Sequence, residues 1–72
     1  MTYEEYAKVY IGLLGATGKD LDNTMEYIKT NVKEMEGRWD DSMDNYSGNV
    51  QNALRNSIHS NVNSYLWKWR LL

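Results

Sequence analysis

Asp40-Asp41-Ser42-Met43-Asp44 is the cluster in this sequence that most resembles a reactive site. Carboxylates at positions i, i+1 and i+4 of a helix can converge on one Mg²⁺, and this DDxxD spacing holds magnesium-diphosphate in enzymes with deep helical cavities. A chain of 72 residues cannot enclose such a cavity. Asp40, Asp41 and Asp44 are therefore read as solvated or helix-capping acids, and as a secondary acidic patch able to compete for a basic groove. Gly12, Gly15 and Gly18-Lys19 have the outline of a phosphate loop. Such a loop needs glycine at position 13 and Ser or Thr at position 20, where this chain has Leu13 and Asp20, and the Asp20 carboxylate would repel phosphate. Asp20-Leu21-Asp22 opens like a calcium loop, but Met25 and Asn31 occupy the places of its sixth-position glycine and twelfth-position acid.

The single histidine, His59, stands between Ser57 and Ser60, and every Asp and Glu of the chain lies at or before Asp44. A nucleophile needs a base, and the base an orienting partner, at mutual hydrogen-bond reach. Ser60 is too close in sequence to face His59 well, and the local chain supplies no acid. The absence of cysteine removes disulfides and thiolate metal sites together, and one histidine leaves a zinc site short of ligands. The expectation is a protein without catalytic residues, metal or cofactor.

Recognition is better supported than catalysis. Asn45, Asn49, Asn52, Asn56 and Asn63 form, with His59 and Ser60, a neutral polar ridge at three- and four-residue spacing. Asparagine is a poor helix former, because its side chain competes for the backbone, so a helix rich in it gives up propensity. Amides donate and accept without desolvating a charge, which suits a protein interface or a base edge. The plainer alternative is a wet ridge with no partner. Downstream, Tyr65-Leu66-Trp67-Lys68-Trp69-Arg70-Leu71-Leu72 concentrates aromatic and cationic groups of the kind that dominate binding hot spots. The face expected to bind a partner comprises Asn52, Asn56, His59, Asn63, Trp67 and Arg70.

These residues need a scaffold. There is no proline to break helices. Thr2 and Glu5 form a capping-box pair ahead of Tyr3, Tyr6, Ala7, Tyr10, Ile11 and Leu14 at helical spacing, and Gly15 and Gly18 end that run. Gly12 inside it costs about 1 kcal/mol against alanine. Leu21, Met25, Ile28, Val32, Met35 and Trp39 form a heptad seam that continues through Met43, Tyr46, Val50, Leu54, Ile58, Val62, Tyr65 and Trp69. Gly37 and Gly48 both offer a break. Three aspartates at the C-terminal end of a helix are unfavourable and suit the start of a new one, which places the break near Gly37. The spacing thus predicts one all-α domain over 1–72, a small three-helix bundle with helices over roughly 3–14, 20–36 and 40–69, the last with a kink at Gly48.

A chain this short buries only about 60% of its unfolded surface. Six Tyr and three Trp, with no Phe, then carry much of the packing, and self-association as a homodimer would complete a small core. The net charge is −2, but residues 45–72 carry only Arg55, Lys68 and Arg70, so the molecule is acidic in front and mildly basic behind. No apolar run approaches the ~20 residues of a membrane span, and Glu4 and Glu5 stand where a secretory signal would carry its basic n-region, so no such signal is expected. These features suggest a cytoplasmic interaction protein that binds a larger protein or nucleoprotein and modulates or inhibits it. In size and Asn/Tyr-rich composition it fits phage-encoded anti-defence proteins of the anti-CRISPR type. A nucleic-acid-binding regulator using the third helix and a membrane-surface peptide using the Trp/Arg tail are the alternatives, each with weak electrostatic support.

Overall fold

The computed structural model describes residues 1–32 and 37–68. They form a three-helix bundle without a β-strand, the all-α architecture expected from the periodicity: α1 (Tyr3–Leu13), α2 (Lys19–Asn31) and α3 (Gly48–Lys68). The Thr2–Glu5 capping box is present, with the Thr2 amide donating to Glu5 Oε1 at 2.8 Å and the Glu5 amide to Thr2 Oγ1 at 3.1 Å. Gly15 and Gly18 take φ of 97° and 57°, a region that costs a side chain little only when it is hydrogen, and between them the chain reverses into α2. Lys29 at the end of α2 meets Glu4 at the start of α1 at 3.1 Å, so these two helices run antiparallel.

α2 stops at Asn31, five residues short of the expected end. Its last turn holds Thr30 and Asn31, whose side chains bond back to the carbonyls of Glu26 and Tyr27 at 2.9 Å each, followed by β-branched Val32. Such residues compete with the helical ladder, and Val32 leaves it in extended conformation while staying buried. Met35 lies outside the described residues.

The largest departure from expectation is the start of the third helix, which is Gly48 and not residue 40. Ser47 caps it: its hydroxyl accepts from the Val50 amide at 3.4 Å and its carbonyl from the Gln51 amide at 2.9 Å. Residues 37–47 are a connector with one 3₁₀ turn, Met43–Asn45. It folds over the beginning of α1, where the Trp39 carbonyl accepts from the Glu4 amide (3.1 Å) and the Met1 carbonyl from the Met43 amide (2.9 Å). The three aspartates therefore stand on this connector and not in the first turn of a long helix. Gly48 opens a helix where a kink was expected.

The core is the shared face of all three helices: Tyr3, Ala7 and Ile11 from α1, Met25 and Ile28 from α2, Leu54, Ile58, Val62 and Leu66 from α3, with Val32 and Met43 closing the connector end. On α3 the buried stripe keeps a four-residue step to Leu66, so Leu66 takes the interior place that the heptad spacing gives to Tyr65. Tyr65 packs at the edge, stacked on Tyr27 with ring centroids 4.7 Å apart. No helix among the described residues is long and apolar enough to cross a membrane.

Candidate interaction face

α1 and α3 lie side by side in the same direction. The Tyr6 hydroxyl bonds to His59 Nε2, and one turn on the Tyr10 hydroxyl donates to Asn63 Oδ1 at 2.8 Å. Both pairs are 53 residues apart in sequence, so the register is constant along the contact. The Tyr10 ring also stacks on the His59 imidazole at 4.1 Å, and the Arg55 guanidinium sits 5.6 Å over the Tyr6 ring. Burial pushes the Tyr6 phenol up from its ordinary pKa, with Arg55 acting in the opposite sense. His59 and Asn63 are thus engaged in joining α3 to α1. His59 is flanked by the rings of Tyr6 and Tyr10, and among the described residues no set of three or more His, Cys, Asp or Glu converges as a metal cage.

At about 100° per residue, Asn52, Asn56, Asn63 and Trp67 fall within roughly 60° of one another on α3, beside His59. All four are exposed, and the Trp67 indole is 74% exposed at the far end of the stripe. Arg70 lies outside the described residues, so its place in the expected face does not enter the geometry. Asp40 and Asp44 are exposed, whereas Asp41 accepts from the Tyr46 hydroxyl at 2.7 Å. That bond, then burial, holds the Tyr46 phenol above its usual pKa. The acids flank the start of α3 and Trp67 its end. With α3 about 30 Å long at ~1.5 Å per residue, acidic patch and indole are separate sites.

Two surfaces were not foreseen from sequence. A shallow, mainly apolar groove of about 410 Å³ runs between Arg38 and the first turns of α3, lined by Asn49, Val50, Ala53 and Leu54. It exists because the chain before Gly48 is irregular, and no periodicity could signal that. On the outer side of α1, Val9 and Leu13 are 50% and 80% exposed. Their four-residue spacing is visible in the sequence, but it falls outside the core stripe and carries no signal of its own. No family model, curated protein or solved structure matches the chain.

Proposed function

We propose that the chain is a non-catalytic protein-binding module that docks on a larger protein or nucleoprotein and modulates or blocks it. The observation that carries this reading is Trp67, a tryptophan 74% exposed at the end of a stripe of exposed amides on the longest helix. A bare indole on a small domain is costly in water, and it is the side chain most often found at the centre of an interface. Asn52 and Asn56 supply directional hydrogen bonds along the same stripe, and His59 and Asn63 hold it at a fixed angle to α1. The stripe has little positive charge, since Arg55 is turned onto the Tyr6 ring, which favours a protein surface over a phosphate backbone. The specific form we propose, inhibition of a bacterial defence complex in the anti-CRISPR manner, draws its support from size and composition.

The test is affinity capture from lysate with the native chain, Trp67→Ser and Asn56→Asp in parallel. The reading expects one stoichiometric partner, retained by the native chain at high salt and lost by both variants. A partner held equally well by all three would refute this face, and a retained species that is nucleic acid, released by salt, would replace the reading with a nucleic-acid-binding one.

A further inference from the structure

Arg38 is the one charged group in the lining of the groove at the start of α3, where the other walls are Asn49, Val50, Ala53 and Leu54. Its guanidinium is half-buried, with its carbon 5.5 Å over the Tyr46 ring. Among the described residues it makes neither an ion pair nor a hydrogen bond. Asp41, on the same connector, does not satisfy it, because the Asp41 carboxylate is engaged by the Tyr46 hydroxyl at 2.7 Å. A cation is thus held in place beside aliphatic surface with its donors unspent. The two sides of the groove are also tied together. The Gln51 amide donates to the Tyr46 carbonyl at 2.8 Å, and the Asp41 amide to the Arg38 carbonyl at 3.0 Å. The groove therefore exists before anything enters it, which lowers the ordering cost of binding.

We propose that this groove binds an extended acidic segment of a partner protein, with an aliphatic side chain laid on Val50, Ala53 and Leu54 and a carboxylate two residues away paired to Arg38. Size fits such a segment: about 410 Å³ lies near the lower end of the roughly 300–1,000 Å³ of ligand pockets, room for one or two side chains. Alternate residues of an extended chain share one side, so an apolar group and an acid two apart can enter together. Charge fits it as well. A guanidinium takes a carboxylate through two parallel hydrogen bonds, and one such fork matches one negative charge. The positive end of the α3 dipole adds to the same sign. The exposed Asp40 and Asp44 of the connector oppose a polyanion, so a single carboxylate between neutral residues suits the groove better than a phosphate backbone. This surface is distinct from the amide stripe. Taken at about 100° per residue, Val50, Ala53 and Leu54 point roughly 120° round α3 from Asn52, Asn56, Asn63 and Trp67.

The test is an NMR titration of the isotope-labelled full chain with two capped pentapeptides, acetyl-Gly-Leu-Ala-Asp-Gly-amide and its neutral counterpart with Asn in place of Asp. The acidic peptide should give saturable shifts at Asn49, Val50, Ala53 and Leu54 and at the Arg38 side chain, with a Kd of about 1 mM or tighter. The neutral peptide should bind at least about tenfold more weakly. Arg38→Gln should reduce the acidic peptide to the level of the neutral one. Val50→Asp, an exposed position in the first turn of α3 where an acid suits the helix, should abolish binding without harm to the fold. Trp67→Ser should bind the peptide like the native chain, which separates this groove from the stripe. Equal binding of both peptides, shifts that map elsewhere, or binding that survives Val50→Asp would overturn the proposal. Inorganic phosphate that binds as tightly as the acidic peptide would make this a phosphate site instead. Shifts at the same residues on dilution of the free chain would mean that a second copy covers the groove, and would overturn it too.

Discussion

The Tyr3 ring is fully buried against Tyr46, with centroids 5.6 Å apart, and its hydroxyl has no hydrogen-bond partner among the described residues. A buried hydroxyl left unpaired costs about 1–3 kcal/mol, and the phenylalanine isostere removes the cost without opening a cavity. Tyr3→Phe is therefore expected to hold or raise stability, by up to about 2 kcal/mol in urea unfolding. A clear loss would mean that the hydroxyl has a partner. His59 is the opposite case, since its ring is stacked on Tyr10 and bonded to Tyr6. His59→Ala should destabilise the fold by roughly 1–3 kcal/mol through loss of both contacts, and a variant as stable as the parent would contradict the structural role given to it. Helical spacing correctly placed His59 and Asn63 beside the apolar seam, but it gives only an angle on a cylinder. Which flank of the cylinder a neighbour covers depends on Tyr6 and Tyr10, 53 residues away, whose long side chains reach across.

Among the elements, α1 was the most legible, because its start and stop are local chemistry: a capping box at one end and two glycines at the other. The α2–α3 boundary is not marked by the apolar spacing, for a physical reason. Val32 and Met43 are buried although neither is in an α-helix, so the three- and four-residue spacing of apolar groups outlasts the helices themselves. The spacing predicts a single break, whereas both glycines are used, Gly37 with φ of 77° and Gly48 behind the Ser47 cap. The cap was hidden in a run of Asp, Asn and Ser where several residues could serve. A matched pair of substitutions tests this account of the glycines by thermal unfolding. Gly37→Ala places a Cβ in the left-handed region and should cost about 1–2 kcal/mol, while Gly12→Ala meets open space on a helix and should add up to about 1 kcal/mol.

For the whole molecule, stability should fall on two limbs of pH. Glu4 is held below the usual carboxylate range first by the hydrogen bond from Lys29, and Glu5 first by the Thr2 backbone amide. Their stabilisation is complete above the ordinary glutamate pKa of about 4.3 and is lost as pH falls through the lower folded values. Tyr3 and Tyr6 are pushed up by burial, so their stabilisation is complete below about pH 10 and disappears as pH rises through the higher folded values. Urea midpoints measured across pH should show both limbs, and Glu4→Gln should shrink the acidic one while leaving the alkaline one in place. The constant 53-residue separation between α1 and α3 has a further effect, on how the chain is made. α1 is translated before α3 and can pair with α2 while α3 is still being made, but the groups that cover Tyr6 and Tyr10 belong to α3. The nascent chain thus carries a half-clothed tyrosine face until α3 is released, and the bundle closes only after that release.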